Sequence, residues 1–351
     1  MRPAPLPGIL GNCATCSPLG RAAAPADGIT PRRPSPGIES PVMETLMRAA
    51  SRITLRLLFR PVIGSRLPIG FQRRWAAALT RIAGGPRGVE RSEIWAGELA
   101  MKRLRRADAG VGPVDPSGRE AVLYLHGGGF EIGGGEMYVG FASRIAAITG
   151  ADVYLPDYRL APEHTQPTPT DDAFAAYRAV LELGHDPGRT AVVGDSAGGG
   201  IAVSTVRTLR EMGLPGPAAM VLISPWLDLS LSGASVGLVG RRDPMLRREW
   251  LERAARGHAA GLHLDDPRVS PLFADLRTLP PTLVQVGTDE ILLDDSTRFA
   301  ERAYAAGVEV ELQRFDGLFH DFQVFARLLP TARGALDDIA SFLRRRLAAG
   351  G

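Results

Sequence analysis

The stretch "VVGDSAGGG", Val192 to Gly200, lies between a β-branched apolar run and a segment with helical spacing. Within it, Gly194-Asp195-Ser196-Ala197-Gly198 forms a GxSxG pattern. A serine on such a strand-to-helix turn sits on strained backbone with its hydroxyl exposed. The residues two away on either side must be small, or they would collide across the turn. Ser196 is therefore the candidate nucleophile, and Asp195 beside it reads as structural.

Outward from that turn, short apolar runs alternate with longer helical ones. The strand-like runs are 121–126, 151–158, 190–195, 218–225, 282–287 and 308–315; helix-like segments cover 137–149, 170–183, 198–212, 294–306 and 332–348. This alternation predicts an α/β fold, with a mainly parallel sheet covered by helices on both faces. Residues 228–265 break the pattern and read as an insertion.

Upstream, "LYLHGGGFEIGGG" (Leu123 to Gly135) carries six glycines in its last nine residues. Backbone this bare suggests close approach to an anion. A phosphate cradle needs a lysine after the glycines, and a dinucleotide turn needs GxGxxG; neither is present. The remaining anion is the oxyanion of an acyl-transfer intermediate, which needs converging backbone N–H groups. An HGGG run, here His126 to Gly129, is a known partner of the GxSxG turn. His126, inside that loop, reads as its anchor.

A serine nucleophile needs a base, and the base needs a carboxylate to set its tautomer. The chain order for this turn is serine, acid, histidine. After Ser196 the histidines are His258, His263 and His320. The first two lie in the irregular insertion, so His320, in "GLFHDF", is the expected base. Asp289, in "VQVGTDEILLDDS", follows the strand at 282–287 and is the expected acid. Glu290 is expected to point elsewhere, with Asp294 and Asp295 at a helix start. A free imidazole titrates near about 6.5, so activity is expected to rise from roughly pH 6 to 7.

Together with "DYRLAPEH" (157–164), "SPWLDL" (224–229), "DPRVSPL" (266–272), "GTDEILLDD" and the His320 loop, these motifs resemble the hormone-sensitive-lipase-like esterases, the bacterial family IV of the α/β-hydrolase superfamily. The resemblance covers about residues 70–348, with five motifs in family order. It implies an eight-stranded, mainly parallel sheet under a helical cap drawn from the N-terminal helices and the insertion at about 228–265. It implies cofactor-free, metal-free hydrolysis of small carboxylic esters with short to medium acyl chains, and often dimers. By motif matching, the oxyanion donors are the N–H groups of Gly128, Gly129 and Ala197. The family usually has Asn where this chain has Gly200. A lactone, amide or N-acetyl hydrolase would use the same residues. Small-molecule receptors of this fold lack the histidine that His320 supplies.

The 351 residues carry a net charge of +3, unevenly placed. Residues 1–106 hold 18 basic and 6 acidic side chains, a net of +12, and the remainder carries −9. With 40 arginines and one lysine, this reads as codon bias and not as nucleic-acid binding. Cys13 and Cys16 cannot staple the fold and make a weak metal motif. No apolar run approaches the roughly 18 residues of a membrane span. Prolines interrupt the first 30 residues where a signal peptide would be continuous, so the expected location is cytoplasmic. The domain plan is a disordered basic tail over 1–42, cap helices over 43–88 and a catalytic domain over 89–351. In the cap helices, Leu46, Ile53, Leu57, Trp75 and Leu79 are expected to cover the core; a helix lying on a membrane surface is the alternative.

Overall fold

The computed structural model describes residues 29–31, 41–109 and 118–348. Cys13, Cys16 and most of the tail expected to be disordered lie outside these residues. The strands are β1 (Ile29–Pro31), β2 (Val89–Ala96), β3 (Leu99–Arg106), β4 (Ala121–Leu125), β5 (Asp152–Pro156), β6 (Thr190–Asp195), β7 (Ala219–Ile223), β8 (Thr282–Gly287) and β9 (Val310–Phe315). They form one sheet in the order β1-β9-β8-β7-β6-β4-β5-β3-β2. Strand β3 runs antiparallel to both β2 and β5, and the other pairings are parallel. The expected eight strands are β2 to β9. The ninth, β1, pairs with Leu312–Arg314 inside the stretch expected to be disordered.

Period-two side-chain alternation explains why the central strands read as unbroken apolar runs. In β4, Leu123 and Leu125 join the core on one face, while Val122 and Tyr124 join the core on the other. The first core lies under α4 (Thr168–Glu182), α5 (Ser196–Glu211) and α8 (Leu293–Ala305), through Val180, Val203 and Phe299. The second lies under α3 (Gly135–Thr149) and α9 (Pro330–Leu347), through Ile145 and Ile339. Each such apolar side chain fully buried contributes about 1.5–3 kcal/mol. Two-sided burial is what a parallel sheet requires.

Two helices lie between β1 and β2: α1 (Pro41–Thr54), continued by a π-helical turn over Leu55–Phe59, and α2 (Ile69–Ala83). The insertion supplies α6 (Ser235–Leu238) and α7 (Arg248–Ala259). The expected inward face of the first helix is overturned. Leu46, Ile53, Leu57 and Leu58 are exposed, and the inner face is built from Glu44, Ser51 and Leu55. Only Trp75, partly buried, joins the core as expected of the five residues named for that cover.

Candidate active site

Four loops meet at the carboxyl edge of the sheet, where ligand sites form in folds of this kind. At the end of β6, Ser196 adopts φ 50°, the left-handed region that a non-glycine residue rarely occupies. The neighbouring glycines permit it. A Cβ on Gly194 would lie 2.4 Å from the Gly198 carbonyl oxygen, and one on Gly198 would lie 2.1 Å from that of Leu125. The hydroxyl oxygen of Ser196 is 2.9 Å from Nε2 of His320, which lies in the loop after β9. His320 thus stands where the sequence placed it. His258 is in α7, stacked 3.8 Å from the Phe130 ring, and burial lowers its pKa to about 3.

The loop after β4 faces the same hydroxyl. Gly128 (φ 119°) and Gly129 (φ 63°) are both left-handed. Among the described residues, neither of their N–H groups donates to an acceptor. Ala197 is the second residue of α5, so its N–H belongs to the first turn, which lacks intrahelical acceptors. A Cβ on Gly127 would lie 2.9 Å from the Ser196 Cβ, which shows how closely the loop approaches the serine. His126 anchors it. Nε2 accepts from the Gly134 N–H at 3.0 Å, which leaves Nδ1 to donate to the Gly127 carbonyl at 2.8 Å. The ring stacks on Tyr158 and Tyr138, and burial lowers its pKa to about 4.

The expected acid is not the carboxylate at the histidine. Asp289 turns away and bonds Arg52 of α1, with Arg242 at 3.5 Å on its other oxygen. Glu290, the next residue, is fully buried, and its Oε2 lies 3.2 Å from Nδ1 of His320. Backbone bonds fix this handedness. The Asp289 N–H donates to the Leu318 carbonyl at 2.9 Å, and the Ile291 N–H donates to Asp243 at 3.0 Å, pinning both sides of Glu290. Two consecutive carboxylates were visible in "TDE", but the partners that pin this loop, Leu318, Asp243 and, on the outward carboxylate, Arg52, are distant in sequence. Asp294 and Asp295 lie in the first turn of α8, as expected.

A further carboxylate was not singled out from sequence. Oδ2 of Asp321, whose backbone is left-handed at φ 51°, lies 3.1 Å from Nε2 of His320. Burial alone would lower the His320 pKa. Asp321 and Glu290, one on each ring nitrogen, outweigh it and hold the pKa well above 6.5. Burial pushes the Glu290 carboxyl up to about 7, against the pull of His320. Asp195 is buried under hydrogen bonds from Tyr124 (2.6 Å) and Tyr138 (3.2 Å), and burial with the nearby Asp321 raises it to about 8. That is the structural role read for it.

Trp250 of α7 roofs the oxyanion loop. A Cβ on Gly129 would lie 3.1 Å from its ring, its Nε1 donates to Glu131 at 3.2 Å, and Phe59 meets its edge at 6.5 Å. Insertion and N-terminal segment therefore meet above the glycines. Among the described residues, no group of three or more His, Cys, Asp or Glu side chains is arranged to hold a metal.

A family model described as the alpha/beta hydrolase fold matches residues 122–324, the stretch that contains every loop of this site. The chain belongs to the α/β-hydrolase fold family. Within this family it is a hormone-sensitive-lipase-like esterase relative. An acetyl-hydrolase of Streptomyces hygroscopicus is 40% identical over 234 residues, 67% of this chain and 78% of that protein. An esterase of Acinetobacter venetianus is 39% identical over 227 residues, 64% of this chain and 75% of that protein. The crystal structure of an esterase from the bacterial hormone-sensitive lipase family superposes with a TM-score of 0.79 at 35% identity, covering 88% of this chain and 99% of that one. In this hydrolase, Gly200 has a local reason: a Cβ there would lie 2.6 Å from the Trp226 carbonyl oxygen.

Proposed function

We propose that this hydrolase cleaves short to medium acyl carboxylic esters through an acyl-enzyme on Ser196, with His320 as base and Glu290 as the orienting acid. The observation that carries this reading is the relay from Ser196 Oγ through both His320 nitrogens to Glu290, at 2.9 and 3.2 Å. His320 takes the hydroxyl proton as Oγ bonds the ester carbonyl carbon, and the N–H groups of Gly128, Gly129 and Ala197 receive the oxyanion. The imidazolium then protonates the departing alcohol. Water, deprotonated by the same ring, attacks the acyl-enzyme and frees the acid and the serine. Glu290 accepts from Nδ1 and so keeps Nε2 unprotonated toward Ser196.

Trp250 and Phe59 form the cap over this site and favour small acyl groups, and the acetyl-hydrolase relative points to the short end of that range. A cytoplasmic location, expected from the sequence, and the dimer that the family resemblance implies as often formed belong to the same proposal. Ser196→Ala is expected to abolish p-nitrophenyl acetate and butyrate hydrolysis together with organophosphate labelling. Stoichiometric labelling of that variant would place the nucleophile elsewhere.

A further inference from the structure

Helix α1 and the π-helical turn carry an apolar stripe outward. Val42, Leu46, Ile53 and Leu57 are 67, 60, 56 and 68% exposed, with Ala49 and Ala50 completing one stripe at helical spacing. The opposite face is occupied: Arg48 bonds Glu44, Thr331 and the Asp316 carbonyl, and Arg52 bonds Asp289 and the Gly317 carbonyl. Those bonds prevent the helix from rolling its stripe inward. The patch continues onto α2. The Trp75 indole donates to the Leu58 carbonyl at 2.8 Å and stacks on the exposed Phe71.

Its charge is one-sided. Residues 41–83 contain eight arginines and a single acidic residue, Glu44, for a net of +7. Glu44 is buried against Arg48 and Thr331. Arg56 on the π-helical turn, Arg66 in the loop that follows and Arg74 on α2 are exposed, and none has a carboxylate within ion-pair distance among the described residues. A self-paired dimer through this face would bring arginine against arginine. An apolar stripe flanked by arginine fits the interface of an anionic bilayer, where aliphatic side chains enter the acyl boundary and cations meet headgroups. Among the described residues no helix is long and apolar enough to cross a membrane, so this is a surface contact.

We propose that the outer face of residues 42–74 docks the protein on an anionic lipid surface. The proposal is independent of the ester chemistry, although the docked helix also grips the loops that carry Glu290 and His320.

The test is co-sedimentation of the full-length chain with vesicles of equal parts phosphatidylglycerol and phosphatidylcholine, against pure phosphatidylcholine. The protein is expected on the anionic vesicles, and high salt is expected to release it. Leu46→Ser/Ile53→Ser/Leu57→Ser, and separately Arg56→Gln/Arg66→Gln/Arg74→Gln, should each weaken partitioning about tenfold or more. Both should keep p-nitrophenyl butyrate hydrolysis in vesicle-free buffer. A full-length chain that ignores anionic vesicles overturns the proposal, whether its own first 40 residues or a second copy covers the face. Vesicle binding by both triple variants as strong as that of the wild type, or a wild-type dimer that the leucine-face variant dissociates, overturns it as well.

Discussion

Arg52 of α1 bonds Asp289, while the carboxylate that reaches His320 is the next one along, Glu290. Adjacent side chains of this loop point in opposite directions. The ion pair at the rim and the buried acid at the imidazole are two consequences of one backbone path.

Exchanging the two carboxylates for amides separates their roles. Glu290→Gln presents an N–H where His320 needs an acceptor, and kcat is expected to fall on the order of 10⁴-fold. Asp289→Asn should cost about tenfold or less, since it loosens a loop without touching the ring. The reverse ranking in steady-state kinetics would restore Asp289 as the acid.

The pH profile should differ from that of a free imidazole. The base must be neutral, and the carboxylates at its two nitrogens favour the charged form, so its pKa lies above 6.5. Activity is expected to be low through the range where a free imidazole would already support it, and to rise on the alkaline side. Asp321→Asn removes one of those carboxylates and should move the rise in kcat/KM to lower pH. A profile indifferent to that change would show that Asp321 does not act on the ring.

Gly198 tests the turn itself. A methyl group at this position overlaps the Leu125 carbonyl oxygen at 2.1 Å, and backbone cannot step aside as a side chain can. Gly198→Ala is expected to destabilise by about 3 kcal/mol or more, read from a denaturant melt. A variant with native Tm and full kcat would mean that the turn is looser than its glycines imply.

Truncation separates the parts of the basic leader. Removing residues 1–40 should leave kcat/KM nearly unchanged. Removing 1–84 also deletes Arg52 and the Phe59 edge against Trp250, so both kcat and solubility should drop. Equal behaviour of the two truncations would dissociate α1 from the site.

Chelation should have no effect, because the proposed relay uses only side chains and backbone N–H groups. Loss of activity in EDTA that zinc restores would require a different mechanism.

The sheet and the serine were legible because their determinants are local. A β-branched run, two glycines flanking a serine and a helical segment specify Gly194 to Gly198 without help from distant sequence. His320 was legible through chain order. Glu290 was not, since the residue that claims Asp289 lies on a helix far upstream and leaves no mark on the local spacing. The outward face of α1 was legible only as the alternative, for a related reason. Hydrophobic periodicity reports that a helix has an apolar side, but the anchoring of Arg48 and Arg52 decides where that side points.

The burial that silences His126 and His258 also bears on spectroscopy. Of the six imidazoles, these two rest at about 4 and 3, and burial lowers His185 as well. In a proton magnetic resonance titration across the neutral range, the ring signals of His126 and His258 should stay still. His320, held above 6.5 by the carboxylates of Asp321 and Glu290, should instead shift its ring signals as the pH rises, so that the proposed catalytic imidazole reports its own protonation without substrate.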